Sequence, residues 1–117
     1  MLLIECKGHK QKDTKLKVLS AISDDYCRLI IGSTMEEPKS VFDIVVSCNI
    51  PIATAYRKIH YLRKSGILKV EKSVITDDGK RYDLYKSNIK AVRIIFGFDS
   101  LDIDITENLD MEKSAYW

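Results

Sequence analysis

Residues 40–68, SVFDIVVSCNIPIATAYRKIHYLRKSGIL, decide how this chain is read. Ser40, with Asp43 three residues on, approximates a capping box: the hydroxyl serves one exposed N–H and the carboxylate answers at the third helical position. The spacing predicts a helix over about 40–48. Asn49, which tolerates left-handed backbone angles, ends it, and Ile50-Pro51 restart the chain in a new direction. With Pro51 as the first helical position, a further helix is expected over about 51–65, ended by Gly66. At about 100° per residue Ala55, Ile59 and Leu62 fall in one narrow apolar stripe, while Ala53, Arg57, His60, Tyr61 and Lys64 fall opposite or beside it. Residues 49–70 hold five Lys or Arg and no Asp or Glu, so the face turned away from the core is basic, aromatic and free of acids.

Upstream, residues 7–17, KGHKQKDTKLK, are lysine-rich and without periodicity, and residues 1–15 as a whole read as a flexible basic leader. From Leu16 the apolar positions Leu16, Leu19, Ile22, Tyr26, Leu29 and Ile30 recur at mostly three- and four-residue steps. Ser23-Asp24-Asp25 supply a cap, so a helix is expected over about 24–34, with Gly32 as a weak point inside it. Pro38 then fixes a turn.

After Gly66 the period changes. The run ILKVEKSVITDDGKRYDLYK, residues 67–86, is rich in β-branched and aromatic residues, and Asp78-Gly79 is the signal of a two-residue hairpin turn between two strands. Lys80 and Arg81 stand at its tip, with Lys72 nearby. In residues 89–106 Val92, Ile94, Phe96 and Phe98 alternate, then Leu101, Ile103 and Ile105 alternate with Asp102 and Asp104 around Asp99-Ser100, which predicts a second hairpin. The last residues, 107–117, are acidic and end in Tyr116-Trp117, aromatic side chains that point to a partner surface.

Length and composition suit one domain: 117 residues, 45% apolar and 31% charged. No stretch approaches the roughly 18–20 apolar residues of a membrane span, and Met1-Leu2-Leu3-Ile4 is too short for a signal-peptide core, so a cytoplasmic protein without a membrane partner is expected. Cys6, Cys27 and Cys48 have neither the count of a disulfide framework nor the spacing of a zinc ribbon, and with only His9 and His60 beside them no metal or cofactor is expected. The net charge of +2 hides an asymmetry. Residues 1–98 carry 18 Lys/Arg against 11 Asp/Glu, whereas residues 99–117 carry six acids and one Lys. A basic body with an acidic tail suggests a polyanionic partner.

Three short helices, an Asn-centred turn between the second and third, a glycine and a basic hairpin are the order of a helix-turn-helix followed by a wing. The run EEPKSVFDIVVSCNIPIATAYRKIHYLRKSGILKVEKSVITDDGKRYDLY resembles the winged helix-turn-helix of ArsR-like transcription regulators, especially archaeal ones, over about residues 16–86. The resemblance implies an α+β winged helix-turn-helix, three helices plus a β-hairpin wing, here with a C-terminal β-hairpin extension. It also implies double-stranded DNA as partner, with the third helix in the major groove. Ile52, Ala53, Thr54 and Arg57 would then face base edges, with Arg57 first for a guanine. Lys58, His60, Tyr61 and Lys64 would flank them, Tyr56 or Tyr61 would reach the backbone, and Lys72, Lys80 and Arg81 would meet phosphates. Two departures stand out: Ala53 replaces a polar reader, and apolar Ile52 occupies a position that could also face the groove, so either low specificity or recognition of DNA shape is expected. Metal-sensing members carry a cysteine pair in the preceding helix, where this chain has Cys48 alone.

The domains read as a leader over 1–15, a winged helix over 16–88, a strand hairpin over 89–106 that serves dimerisation, and a tail over 107–117. A homodimer is expected, since two-fold dimers set two recognition helices one DNA turn apart. The first helix and the segment 92–105, with Val92, Ile94, Phe96, Leu101 and Ile103, are the candidate dimer surface. Plainer readings stand beside these: Tyr56, Ile59 and Leu62 as core, His60 and Arg63-Lys64 as solvated side chains, and the whole module as a protein-docking winged helix in a transcription or chromatin assembly. No Gly-rich phosphate loop, metal-ligand pair or Ser/His/Asp set is present, so an enzyme is not expected.

Overall fold

The computed structural model of the chain describes residues 9–109. Its first helix, α1 (His9–Ile22), begins inside the stretch read as a leader. Lys and Gln are good helix formers, and the helix needs only a narrow stripe to dock. That stripe is Val18 and Ala21, both buried, whereas Leu16 stays exposed. Of the expected Leu16–Leu19–Ile22 row Ile22 packs against the buried cluster, while the centre of the stripe is rotated away from Leu16 to Val18 and Ala21.

Asp24 caps α2 (Asp25–Ser33), its carboxylate accepting the N–H of Cys27 at 2.9 Å. Cys27, Ile30 and Ile31 face inward, while Tyr26 and Leu29, expected on the stripe, are exposed. Thr34, fully buried, closes the helix by donating its hydroxyl to the carbonyl of Ile30 at 2.9 Å.

The capping box is present at α3 (Val41–Cys48): Ser40 Oγ accepts the N–H of Asp43 at 3.1 Å, and Asp43 accepts the N–H of Ser40 at 3.3 Å. Asn49 takes the left-handed conformation at φ 53° and turns the chain. Pro51 sits one residue earlier than expected, as the N-cap of α4 (Ile52–Lys64), its carbonyl accepting the N–H of Ala55 at 2.9 Å. At the far end Gly66, at φ 81°, lets the N–H of Ile67 reach back to the carbonyl of Leu62 at 2.9 Å.

Strands β1 (Leu68–Ile75) and β2 (Arg81–Ser87) form an antiparallel hairpin with a bulge between Val70 and Lys72. Its connection is not the expected two-residue turn. The N–H of Thr76 donates to the carbonyl of Lys80, the N–H of Gly79 donates to Thr76, and Gly79 has φ 83°. Asp77, Asp78 and Gly79 therefore form a three-residue loop with glycine in the left-handed position. The other edge of β2 gains one rung from the α2–α3 connection: Lys39 and Tyr85 exchange both backbone hydrogen bonds, at 2.9 and 2.7 Å.

A second antiparallel pair, β3 (Ile89–Phe96) and β4 (Leu101–Glu107), pairs Val92 with Ile105, Ile94 with Ile103 and Phe96 with Leu101. Phe98 lies outside the strand alternation it was assigned to, in the four-residue connection closed by the N–H of Gly97 on Ser100 at 2.8 Å. Leu101 and Ile103 are buried, which withdraws them from the expected dimer surface. The two hairpins meet at a stitched junction. Asn88 Nδ2 donates to Gly66 at 2.8 Å, and Asn108 Nδ2 donates to Met35 at 2.8 Å and to Ser87 at 3.0 Å.

One apolar cluster joins these elements. Ile30, Ile44, Ile50, Ala55, Ile59, Leu62, Leu68 and Ile89 are among its buried members, and Val92 and Ile105 pack against it. The described residues therefore form a mixed α+β structure of four helices and two antiparallel hairpins, compatible with a winged-helix-like fold. Among the described residues no helix is long and apolar enough to cross a membrane.

Candidate nucleic-acid interface

Burial of Ala55, Ile59 and Leu62 fixes the roll of α4, and with it the direction of every other side chain on that helix. Ala53, Arg57, His60 and Lys64, spaced at three and four residues, form the outermost row, and all are exposed. Among the described residues the side chains of Arg57, His60 and Lys64 have no hydrogen bond or ion pair with the rest of the protein. These groups are free to meet a partner.

The residues on either side of that row are differently placed. Lys58, half-buried, is engaged: its Nζ lies 3.2 Å from Asp24 Oδ1, so part of its charge is spent on α2. Arg57, Lys58 and Tyr61 line a cleft of about 520 Å³ with Ser20, Ser23, Asp24 and Cys27. On the other flank Tyr56 turns toward the first hairpin, where it lines an open groove of about 910 Å³ with Phe42, Arg81, Tyr82 and Tyr85. Phe42, Tyr56 and Tyr82 are all exposed there. Ile52 is exposed at the start of α4, and Thr54 is half-buried.

The first hairpin is less basic than a count of its Lys and Arg suggests. Lys72 and Lys80 are exposed, but Arg81 is held by Ser73 Oγ at 3.2 Å and Asp83 at 3.4 Å. The Ser73 hydroxyl, donating at 2.7 Å, and the Arg81 guanidinium hold the Asp83 carboxyl below the usual carboxylate range. Asp77 and Asp78 occupy the tip itself. The Thr76 hydroxyl donates to Asp78 and keeps it ionised, with its carboxyl below the usual range. Two carboxylates thus stand beside Lys80 and Arg81, two of the three cations expected to meet phosphate.

No family model matches this chain, and no curated protein does.

The arrangement consequently rests on its own geometry. Of the residues singled out in the sequence, Ala53, Arg57, His60 and Lys64 come together as a row, Lys58 and Tyr61 turn toward α2, Tyr56 borders the groove, and Ile52 and Thr54 stand at the start of α4, exposed and half-buried. Lys72 and Lys80 stand apart on the hairpin and Arg81 is tied down. Sequence reasoning missed Asp24 as the partner of Lys58, 34 residues away, and the aromatic lining from Phe42, Tyr82 and Tyr85. Phe42 did carry a signal: it lies about 200° around α3 from Ile44, the buried residue of that helix, so it had to point outward. Among the described residues, Cys27 and Cys48 are not grouped with other potential metal ligands. Burial pushes Cys27 up to about 11, and Cys48 donates to the carbonyl of Leu29 at 3.5 Å. Cys6, Tyr116 and Trp117 lie outside the described residues.

Proposed function

We propose that this protein binds double-stranded DNA through α4, as a winged helix-turn-helix transcription regulator of the ArsR-like kind. The observation that carries this reading is the outward row of α4: Arg57, His60 and Lys64 exposed, unpaired among the described residues, and without an acid on the helix. A helix of 13 residues that buries one stripe and offers the opposite one suits insertion into the major groove. The rung between Lys39 and Tyr85 supports the same reading, because it ties the α2–α3 connection to the hairpin that would act as the wing. Arg57 is then the base reader. Lys64, Lys72 and Lys80 supply affinity through phosphate, while Lys58 mainly positions α4 against α2.

The test is fluorescence anisotropy of labelled duplex DNA against salt, for the wild-type chain, for Arg57→Ala, and for Lys80→Ala with Arg81→Ala. Binding that weakens steeply with salt, and is weakened by Arg57→Ala, is expected; each lost phosphate contact lowers the salt slope by about 0.9. Absence of binding at low salt would overturn the proposal. It would favour a second reading, a protein-docking module, for which the specific observation is the groove with exposed Phe42, Tyr56 and Tyr82.

A further inference from the structure

The second hairpin is buried unevenly. On its inner face Leu101 and Ile103 of β4 are 6% and 1% exposed. Their cross-strand partners on β3, Phe96 and Ile94, are 75% and 40% exposed. Ile95, on the opposite face, is half exposed, and Phe98 in the connection is fully exposed. One strand is sunk in the protein while its neighbour leaves its largest side chains in water.

Among the described residues β3 pairs with β4 alone, so its outer edge carries a row of unpaired backbone N–H and C=O groups. Edge strands are usually protected by a charge, a proline or a bulge. Here β3 has that protection only in its first half, in Lys90, the bulge between Ile89 and Ala91, and Arg93. From Ile94 to Phe98 the chain reads Ile-Ile-Phe-Gly-Phe, without a charge. Arg93, the next charge inward, is matched across the sheet by Asp104 at 2.9 Å.

We propose that a second copy of this chain completes that edge, β3 running antiparallel to β3 of the copy to form a four-stranded sheet in the order β4-β3-β3-β4. A two-fold axis perpendicular to the sheet maps each face onto itself, so the row of Ile94 and Phe96 continues across the junction into its own counterpart. The charges of β3, Lys90 and Arg93, lie in its first half, where Asp104 pairs with Arg93 across the sheet, and the stretch from Ile94 to Phe98 has no charge to select a charged partner or to repel a second copy. On both faces of the edge and in the connection beyond it, the four exposed apolar side chains together present on the order of 500 Å². Two such surfaces reach the ~1,000 Å² at which stable interfaces begin, which fits a dimer of moderate affinity. This assignment stands apart from DNA binding, and its test contains no DNA.

Sedimentation equilibrium of the full chain, from low to several hundred micromolar, tests it on the wild type, on Ile95→Lys, on Phe96→Lys and on Ile75→Lys. The last places the same charge on an exposed isoleucine of the first hairpin. A wild-type dimer is expected, weakened roughly tenfold or more by either β3 substitution and unchanged by Ile75→Lys. A wild-type monomer at the highest concentration would overturn the assignment and leave the face to a different partner. So would β3 variants that associate like the wild type, or an equal loss in Ile75→Lys. Hydrogen exchange on the wild type needs no variant to fold: amides of residues 93–97 should gain protection with concentration while those of β2 do not, and exchange independent of concentration would reject the edge pairing.

Discussion

Asp24 divides its carboxylate between two helices: Oδ2 accepts the N–H of Cys27 at the start of α2, and Oδ1 receives Lys58 Nζ from α4 at 3.2 Å. The cap and the ion pair therefore share one side chain. Asp24→Ala should destabilise the protein by about 1 kcal/mol, the usual loss for an N-cap. Asp24→Asn should lose less, because the amide oxygen keeps the cap while the ion pair, half open to water, contributes little. Urea unfolding of the two variants checks the order.

The same carboxyl fixes a pH dependence. The Cys27 N–H foremost, and Lys58 after it, hold Asp24 below the usual carboxylate range. A group whose folded pKa is depressed contributes stability that is present above its unfolded pKa and is lost as pH falls through the folded one. Asp24 should accordingly stabilise the protein fully at neutral pH and release that contribution only below about pH 4. Wild type and Asp24→Asn, compared by thermal unfolding, should differ less at pH 3 than at pH 7.

On DNA, the acids at the tip of the first hairpin set a direction opposite to that of the lysines beside them. Asp77→Asn with Asp78→Asn should tighten binding to random duplex by a few-fold at low salt, an effect that added salt removes. Asp24→Asn should tighten it as well, since Lys58 would be released toward the partner. Anisotropy titrations measure both, and unchanged affinity in the hairpin variant would place that tip away from phosphate.

Gly66 and Asn49 both hold positive φ, at 81° and 53°, but respond differently to substitution. A Cβ on Gly66 would meet nothing within 4 Å, so Gly66→Ala tests backbone strain alone and should cost about 1 kcal/mol. Asn49→Gly should change stability by less than that, since asparagine already tolerates the conformation. Chemical denaturation of each variant gives the comparison.

Cys27, buried and raised to about 11, should resist alkylation at pH 8 in the folded protein, whereas half-buried Cys48 reacts. In a Cys6→Ser background one thiol should modify quickly and the second only on unfolding. Mass spectrometry of the labelled peptides would show the order, and early labelling of Cys27 would mean that α2 opens readily.

How much of this was legible follows from the range of the forces involved. The α3 cap, the left-handed Asn49, the stop at Gly66 and the roll of α4 are set by residues within one or two turns, and the sequence states them directly. The start of α1 was missed because Lys and Gln give no periodic signal, and helix propensity without an apolar stripe reads as a leader. The hairpin connection was misread because Asp78-Gly79 fits two loop lengths, and the choice depends on pairing between Thr76 and Lys80. At the candidate site, composition exposed the acid-free face, but the hold of Asp24 on Lys58 depends on a fold that joins residues 34 apart. The groove at Phe42 and the rung at Lys39 are likewise products of chain crossing.

The seam at Asn88 bears on how this protein can be taken apart. Ile89, the first residue of β3, is a member of the same buried cluster as Leu62 and Leu68, and Asn108 reaches from beyond β4 to Met35 and Ser87. The second hairpin is thus not a module that could be exchanged between proteins by cutting at the seam: cleavage there would remove a wall of the interior from the half that carries α4. Shuffling or truncation would have to keep the second hairpin with the helices, and selection on that hairpin acts on the helix that it helps to hold.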